Sequence, residues 1–381
     1  MTAPRFLKIF FTTMGLGLMA VATLNWAVDP YASFRWNDIK GFNDQKKLKR
    51  GGGRVNKSVI LGSFAFDTVF LGTSATETGL NPDSPVLNGT KTFNAGLPFA
   101  DMTQIHGVAS YVAAHQNPRR VIIGLDFVLF SDHWGAKADY ADSAFSGRSL
   151  LPIYAQRLLS GQALADSASV VAASVRGKRS PFGKQGGYDP AAAKVPDDFR
   201  KQFAASLDSY LAAHAYGGYH YAPRHLALLG DAITRLRANG TEVLLFITPV
   251  HAVHLDMVEA VGLAPQYEAW THELTTLVAA LNQQPGAPVR LWDFAGFNSV
   301  TTEAVPEQPG GRMHGYWDAL HYSATTGDLV LCRMLGCTAP VPDDFGVELT
   351  TQTQPPHRVS GALAAFSGAL ADKAKALRVN R

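Results

Sequence analysis

The chain has 381 residues, 46% of them hydrophobic and 17% charged, an ordinary globular composition with enough length for one large domain or two small ones. Its net charge is only +3 and its densest basic cluster is Lys46, Lys47, Lys49 and Arg50, so no polyanionic partner is demanded and nucleic-acid binding is set aside.

After Arg5 and Lys8 runs an uncharged, mostly apolar stretch from Ile9 to Val28. About twenty residues at ~1.5 Å rise each match a bilayer core of about 30 Å. The cations ahead of it favour a cytoplasmic N-terminus and export of the remainder of the chain, although Arg35 and Lys40 blur the asymmetry. Residues 1–30 are therefore expected to form a membrane anchor. A cleaved signal peptide, with Ala20-Val21-Ala22 as its small-x-small site, and a buried core helix are the alternatives. No other uncharged run reaches this length, so one span is expected. Residues 31–60 read as a solvated linker. Its basic cluster with Gly51-Gly52-Gly53-Arg54 makes a poor phosphate cradle, because no strand leads in and no Lys-Ser/Thr opens a helix; lipid headgroup contact is the remaining reading.

From 61 to 340 a strand-then-helix rhythm predicts a parallel sheet with helices on both faces. The expected strands are Thr68–Leu71, Thr92–Asn94, Arg120–Leu125, Glu242–Thr248 and Val289–Phe294, the fourth preceded by a helix over Leu226–Ala238 with Asn239-Gly240 as its C-cap. These runs are apolar without period-two alternation, as strands covered on both faces require. Residues 131–222 are too long for a connection and read as an inserted helical lobe, with a helix over Leu150–Val175 and a Gly/Pro/Lys-rich mobile loop over Gly177–Lys194. The extension 341–381 reads as an extended segment followed by one amphipathic helix. Cys332 and Cys337 form either a local disulfide, if Gly336 breaks the helix, or two buried thiols; no cysteine or histidine spacing suggests a metal.

Two segments carry chemistry. Phe70-Leu71-Gly72-Thr73-Ser74 is a strand followed by a tight turn, which places the Ser74 hydroxyl at a strand C-terminus, where open α/β sheets bind ligands. A serine there can attack a carbonyl while neighbouring N–H groups hold the oxyanion. Taken alone, the turn could be no more than a helix N-cap. Trp317-Asp318-Ala319-Leu320-His321 lies at the far end of the same domain. An aspartate three residues before a histidine sits on the same side of one helical turn, so Asp318 can orient His321 and leave its other nitrogen for Ser74.

These segments resemble the SGNH (GDSL-like) esterases and acyltransferases over roughly residues 65–335. Gly72-Thr73-Ser74 looks like the family's first block and Asp318-x-x-His321 like its last, which supplies acid and base. Phe93-Asn94-Ala95-Gly96 is similar to the second block, whose glycine N–H helps form the oxyanion hole. The family's third block, Gly-x-Asn-Asp, supplies an asparagine; this chain has Gly124-Leu125-Asp126-Phe127 instead. An ionised Asp126 would repel an oxyanion, so it turns away, accepts structural hydrogen bonds or stays protonated. The resemblance implies a three-layer α/β/α flavodoxin-like fold and a Ser74/His321/Asp318 triad. It further implies an oxyanion hole from Ser74 and Gly96, with Asn94, and no cofactor or metal.

The anchor and Val28-Asp29-Pro30-Tyr31 make the chain similar to membrane-tethered envelope proteins of bacteria that assist O-acylation of polysaccharide or teichoic acid. The implied partners are an acyl donor or acylated glycan and a membrane-bound O-acyltransferase, at the inner membrane with the domain facing the periplasm or cell exterior. The alternatives are a catalytically inactive glycan-binding or scaffold subunit and, less in keeping with the first turn, a phosphate-binding module. His251 after the fourth strand, and Asp126, are expected as possible substrate contacts. Asp132-His133-Trp134 is an alternative base, Glu77 a first-turn residue complementing the helix dipole, Asp293 a cleft or capping residue, and Asn88-Gly89-Thr90 a glycosylation sequon relevant only in a glycosylating host.

Overall fold

The structure, a computed structural model, describes residues 2–34, 38–48, 53–135, 138–178, 180–189, 192, 194–353 and 362–379. Helix α1 (Ala3–Val28) has Pro4 in its first turn and ends at Asp29, which takes a left-handed conformation (φ 48°) and donates its amide to Asn25 O at 2.8 Å. It is long and apolar enough to cross a bilayer, and its most apolar stretch is not buried against the protein, so it is not a core helix.

The expected linker is a folded part of the domain. Helix α2 (Gly53–Ser63) buries Arg54, Asn56 and Lys57, and Lys46 is buried with its ammonium on Val28 O (3.0 Å) and Asp38 (3.1 Å). Of the basic cluster expected in water, Lys46 is buried and Lys47 is partly buried against Asp166 (3.3 Å); Lys49, Arg50, Gly51 and Gly52 lie outside the described residues.

The domain then runs β1 (Thr68–Leu71), α3 (Ser74–Gly79), β2 (Thr92–Asn94), α4 (Met102–His115) and β3 (Arg120–Leu125). A helical lobe follows, comprising α5 (Ala138–Ala141), α6 (Leu151–Leu159), α7 (Gly161–Val175) and α8 (Phe199–Tyr210). After it come α9 (Pro223–Ala238), β4 (Glu242–Ile247), α10 (Ala252–Ala260), α11 (Ala264–Asn282), β5 (Arg290–Asp293) and α12 (Ala324–Leu335). The chain closes with β6 (Val347–Glu348), α13 (Ala362–Phe366) and α14 (Gly368–Val379).

The sheet order is β2-β1-β3-β4-β5-β6, with the first five strands parallel and β6 antiparallel to β5. Register is fixed by apolar rows such as Val69↔Val121 and Val121↔Val243. Consecutive residues of β1 and β3 are fully buried, so both faces are covered, as the unbroken apolar runs require. The order 2-1-3-4-5 reverses direction between β1 and β3, and the crevice beyond their C-terminal ends is where a doubly wound sheet takes ligands.

Three segments differ from the sequence reading. The helix expected over 150–175 is broken at Ser160, which ends α6 and caps α7 by accepting from Ala163 N (3.1 Å), bending the pair by 64°. In the loop expected to be mobile, the described stretch 180–189 is tied to the sheet edge: Gln185 O accepts from Asn94 N (2.7 Å) and Tyr188 N donates to Glu77 O (3.1 Å). The tail forms an edge strand and two helices, docked through Leu363 N on Asp256 Oδ2 (3.2 Å). Cys332 and Cys337 are disulfide-bonded, the chain turning back at Gly336 (φ 73°).

Candidate active site

The crevice at the β1/β3 switch begins with the turn after β1. Gly72 has φ 151°, and a Cβ there would collide with the Thr76 side chain, so only glycine makes this turn. Thr73 caps α3, its hydroxyl oxygen accepting from Ala75 N at 3.2 Å. Ser74 is therefore the first residue of a helix, where its own N–H has no intrahelical acceptor.

Ser74 Oγ lies 2.8 Å from His321 Nε2, and His321 Nδ1 lies 2.8 Å from Asp318 Oδ2. The residues come from opposite ends of the sheet region, 247 positions apart. The Asp318–His321 segment is not the helical turn that its spacing suggests. It is a loop closed by the Trp317 N to His321 O hydrogen bond (2.8 Å), and Asp318 Oδ1 accepts from Leu320 N (2.8 Å) and His321 N (2.9 Å). An aspartate binding the amides two and three residues on builds its own turn, and the same carboxylate reaches the imidazole. Ser206 on α8 adds a fourth donor at 3.2 Å; its place in the lobe carried no sequence signal.

Burial alone would push the Asp318 carboxyl up, but the imidazole beside it and the amide donors outweigh burial and hold it down at about 2. For His321, burial acts to lower the pKa; the Asp318 charge and hydrogen bond, helped by Asp126 and Glu77, overcome it and the imidazole is raised. The pair is thus an ionised carboxylate against a ring whose protonated form is stabilised, with the second nitrogen facing a hydroxyl. About a quarter of the His321 side chain (26%) remains exposed, so the hydroxyl end of this chain is reachable from solvent. Such an arrangement can remove a proton from Ser74 and return it to a leaving group.

The other site residues are placed differently from expectation. Asn94 Nδ2 caps carbonyls of α3, donating to Thr76 O (2.9 Å) and Leu80 O (2.8 Å), while its Oδ1 accepts from Gly96 N (2.9 Å). Two of the three expected oxyanion donors, Asn94 and Gly96, are thereby engaged, because an asparagine at the end of β2 satisfies the orphan carbonyls of the short helix beside it. At the α3 N-terminus the Ala75 amide is taken by Thr73, and the Ser74 N–H is a first-turn amide without an intrahelical acceptor.

Asp126 is buried, with Oδ2 accepting from Thr73 Oγ1 and Oδ1 from Thr248 Oγ1, both at 2.5 Å. It ties together the turns after β1, β3 and β4 and is a brace rather than a substrate contact. Burial raises its carboxyl against the pull of the two threonines. His251 caps α10, with Nδ1 accepting from Val253 N (3.3 Å) and Nε2 donating to Glu303 O (2.8 Å). Buried between the rings of Phe203 and Tyr316, it has no nitrogen left for a substrate, and burial depresses its pKa.

Asp132 pairs with Arg224 and with His220 (3.4 Å), and His133 turns to Gly218 O (2.6 Å), so the alternative base is not assembled. Glu77 is buried and salt-bridged to Lys57 at 2.9 Å; the same ammonium donates to Gly96 O at 2.5 Å. Sequence reasoning missed Lys57 because its partners are distant in the chain. Asp293 takes the capping role, accepting from Ala295 N at 2.9 Å. Among the described residues, no cluster of His, Cys, Asp and Glu is arranged to hold a metal ion.

The fold and site define an α/β protein with a mostly parallel sheet, an apolar N-terminal helix and a Ser-His-Asp hydrogen-bond chain at the switch crevice. No protein-family model matches the chain, and no curated protein matches it significantly.

Proposed function

We propose that the protein is a serine-dependent acyl ester hydrolase or O-acyltransferase of SGNH type, acting on an envelope or extracellular glycan, with acetyl the usual acyl group of such chemistry. The observation that carries this reading is the 2.8 Å/2.8 Å relay from Ser74 through His321 to Asp318 at the end of β1. Ser74 Oγ attacks the carbonyl carbon of an acyl ester as its proton passes to His321 Nε2. The C–O bond to the leaving alcohol breaks as His321 returns the proton to that oxygen. Water or a sugar hydroxyl then attacks the seryl ester with the same base, regenerating the Ser74 hydroxyl. The N–H groups at the start of α3 stabilise the oxyanion.

In this reading α1 holds the domain on the outer face of a bacterial inner membrane, beside a membrane-bound O-acyltransferase that exchanges acyl groups with it. A second reading, a glycan-binding or scaffold subunit without catalysis, is favoured by one observation. Asp126 stands where an oxyanion-binding asparagine is expected, and the Gly96 amide is bound to Asn94. Reaction of the full chain in detergent with an activated acetyl ester and a fluorophosphonate probe separates the two. Burst release and labelling that vanish in Ser74→Ala and His321→Ala support catalysis; a folded wild type that does neither supports the scaffold.

A further inference from the structure

The C-terminal end of α1 is fastened to the helical lobe. Asn25 Nδ2 donates to Leu158 O and Ser167 Oγ to Asn25 Oδ1, each at 2.9 Å, so the α6–α7 elbow sits against the last turns of the apolar helix. The elbow is itself apolar, leaving Leu151 and Leu159 exposed. If α1 spans the bilayer, these turns lie at its interface, and the elbow lies at headgroup depth.

Two concavities lie there. One is a cavity of about 500 Å³ whose walls include Tyr31, Arg148, Gln156, Arg157, Ser160 and Gln162. It also touches Asp142, so the walls carry two guanidiniums against one carboxylate; Arg148 is the one paired with Asp142. Arg157 is only 7% exposed, and its hydrogen-bond partners, Ser33 Oγ and Asn56 Oδ1, are neutral, with the Tyr31 ring 5.1 Å away. The Asp29 carboxylate acts on it through space, whereas a buried guanidinium is ordinarily matched by an anion in direct contact. The same wall carries the start of α7, at Ser160 and Gln162, whose first amides have no intrahelical acceptor. The second concavity is an apolar groove of about 310 Å³ between α1 and α7, lined by Leu24, Val28, Leu164, Ala165 and Val171; it reaches Gly161, between Ser160 and Gln162 of the cavity wall. A cationic polar chamber and an apolar groove on either side of the start of α7, beside a membrane helix, offer the two chemistries of one amphiphile.

We propose that this site holds an anionic phospholipid, with its phosphate against Arg157 and the α7 N-terminus and one acyl chain along the α1–α7 groove. The proposal rests on the membrane-anchoring part of the proposed function and is independent of the catalytic part. A bound lipid completes the seam between span and domain, and so fixes the domain on the membrane surface.

The test uses the full chain in mild detergent, with retained lipid read by native mass spectrometry against equal phosphatidylglycerol and phosphatidylcholine of the same acyl chains. Phosphatidylglycerol is expected to be retained about tenfold over phosphatidylcholine, as one charge-assisted contact gives, with the preference lost in Arg157→Gln. Ala168 also lines the groove, and filling it with Ala168→Trp lowers retention of both lipids. Equal retention by the wild type overturns the proposal, as does displacement of the lipid by inorganic phosphate alone, which would mark a free-anion site. Should Arg157→Gln not fold, Arg148→Gln and Ala168→Trp decide, and unchanged behaviour in both overturns it. Flotation with neutral phosphatidylcholine vesicles reports the anchor separately: no flotation removes the anchoring, whereas flotation without lipid preference removes only this site.

Discussion

Asp318→Asn isolates the acid of the relay with little change of shape. The carboxamide oxygen can still accept from Leu320 N and His321 N, which now lie at 2.8 and 2.9 Å from Oδ1, so the loop keeps its turn. The NH2 group, however, presents a donor where Oδ2 now faces His321 Nδ1 at 2.8 Å. The ring must then place its proton on Nε2 and point a donor, not a base, at Ser74. In the proposed mechanism acylation falls by about 10³–10⁴-fold, ~4–5 kcal/mol of barrier. The stability consequence has a definite sign. The Asp318 pKa is depressed to about 2 from an ordinary value of 3.8, so it contributes stability above the unfolded value that is lost as pH falls from about 4 to 2. The shift corresponds to about 2 kcal/mol. His321 is raised, so its charged form contributes stability at low pH, lost as pH rises through the folded value. Because the neutral ring is the base, the acid limb of the wild-type rate profile is expected above the ordinary imidazole value of 6.5. Stopped-flow acylation by an activated acetyl ester, with urea unfolding across acid to neutral pH, measures both effects. An Asp318→Asn protein that acylates within about tenfold of wild type, or a wild-type acid limb below the ordinary imidazole value, would refute the reasoning.

Three further substitutions test the surroundings. Asp126→Asn forces one of the two threonine hydroxyls to stop donating and is expected to cost ~1–3 kcal/mol by urea midpoint, while fluorophosphonate labelling of Ser74 continues; labelling abolished in a stable protein would make Asp126 more than a brace. Lys57→Met takes the ammonium away from the buried Glu77 carboxylate and is expected to cost ~3–5 kcal/mol, with Lys57→Met/Glu77→Gln recovering much of it; thermal melts of the two variants decide. Gly72→Ala demands an unfavourable φ and a side chain where Thr76 already lies, so its melting temperature should fall by more than that of Gly240→Ala, where φ is also positive but nothing lies within 4 Å.

Strands β1, β3 and β4 are legible because a strand buried on both faces is apolar along most of its length, and four-to-six-residue runs such as RVIIGL leave little choice of register, whereas β2, only Thr92–Asn94, is a weak signal. The two-residue β6, Val347–Glu348, has no such signature and is placed by its neighbour β5. The break at Ser160 was marked by a Ser-Gly pair, an N-cap signal overridden by the apolar run around it. Asp318 and His321 were found from spacing, yet the conformation that joins them is an aspartate-built loop, which satisfies the same spacing as a helical turn. What stayed hidden was the use of polar groups. That Asn94 caps α3, that Asp126 bridges two threonines and that Lys57 joins Glu77 to Gly96 O depend on contacts between 14 and 122 residues apart.

These hidden contacts form a continuous path between the two ends of the molecule. Asn25 near the end of α1 binds Leu158 O; the neighbouring Arg157 binds Asn56 on α2; and the next residue, Lys57, binds Gly96 O and Glu77. Glu77 lies one helical turn after Ser74, and Gly96 lies in the loop against α3. Every link is buried or partly buried, and each removes freedom that a flexible tether would keep. In the proposed membrane-anchored arrangement, the height and orientation of Ser74 would be set by α1, which suits the proposed acyl donor or acceptor presented at a fixed distance from the bilayer. Cutting the first link tests this. Asn25→Leu, which removes the bonds to Leu158 O and Ser167, should leave hydrolysis of a soluble ester intact and lower activity on a membrane-presented donor, whereas equal loss on both substrates would mean that the path serves stability alone.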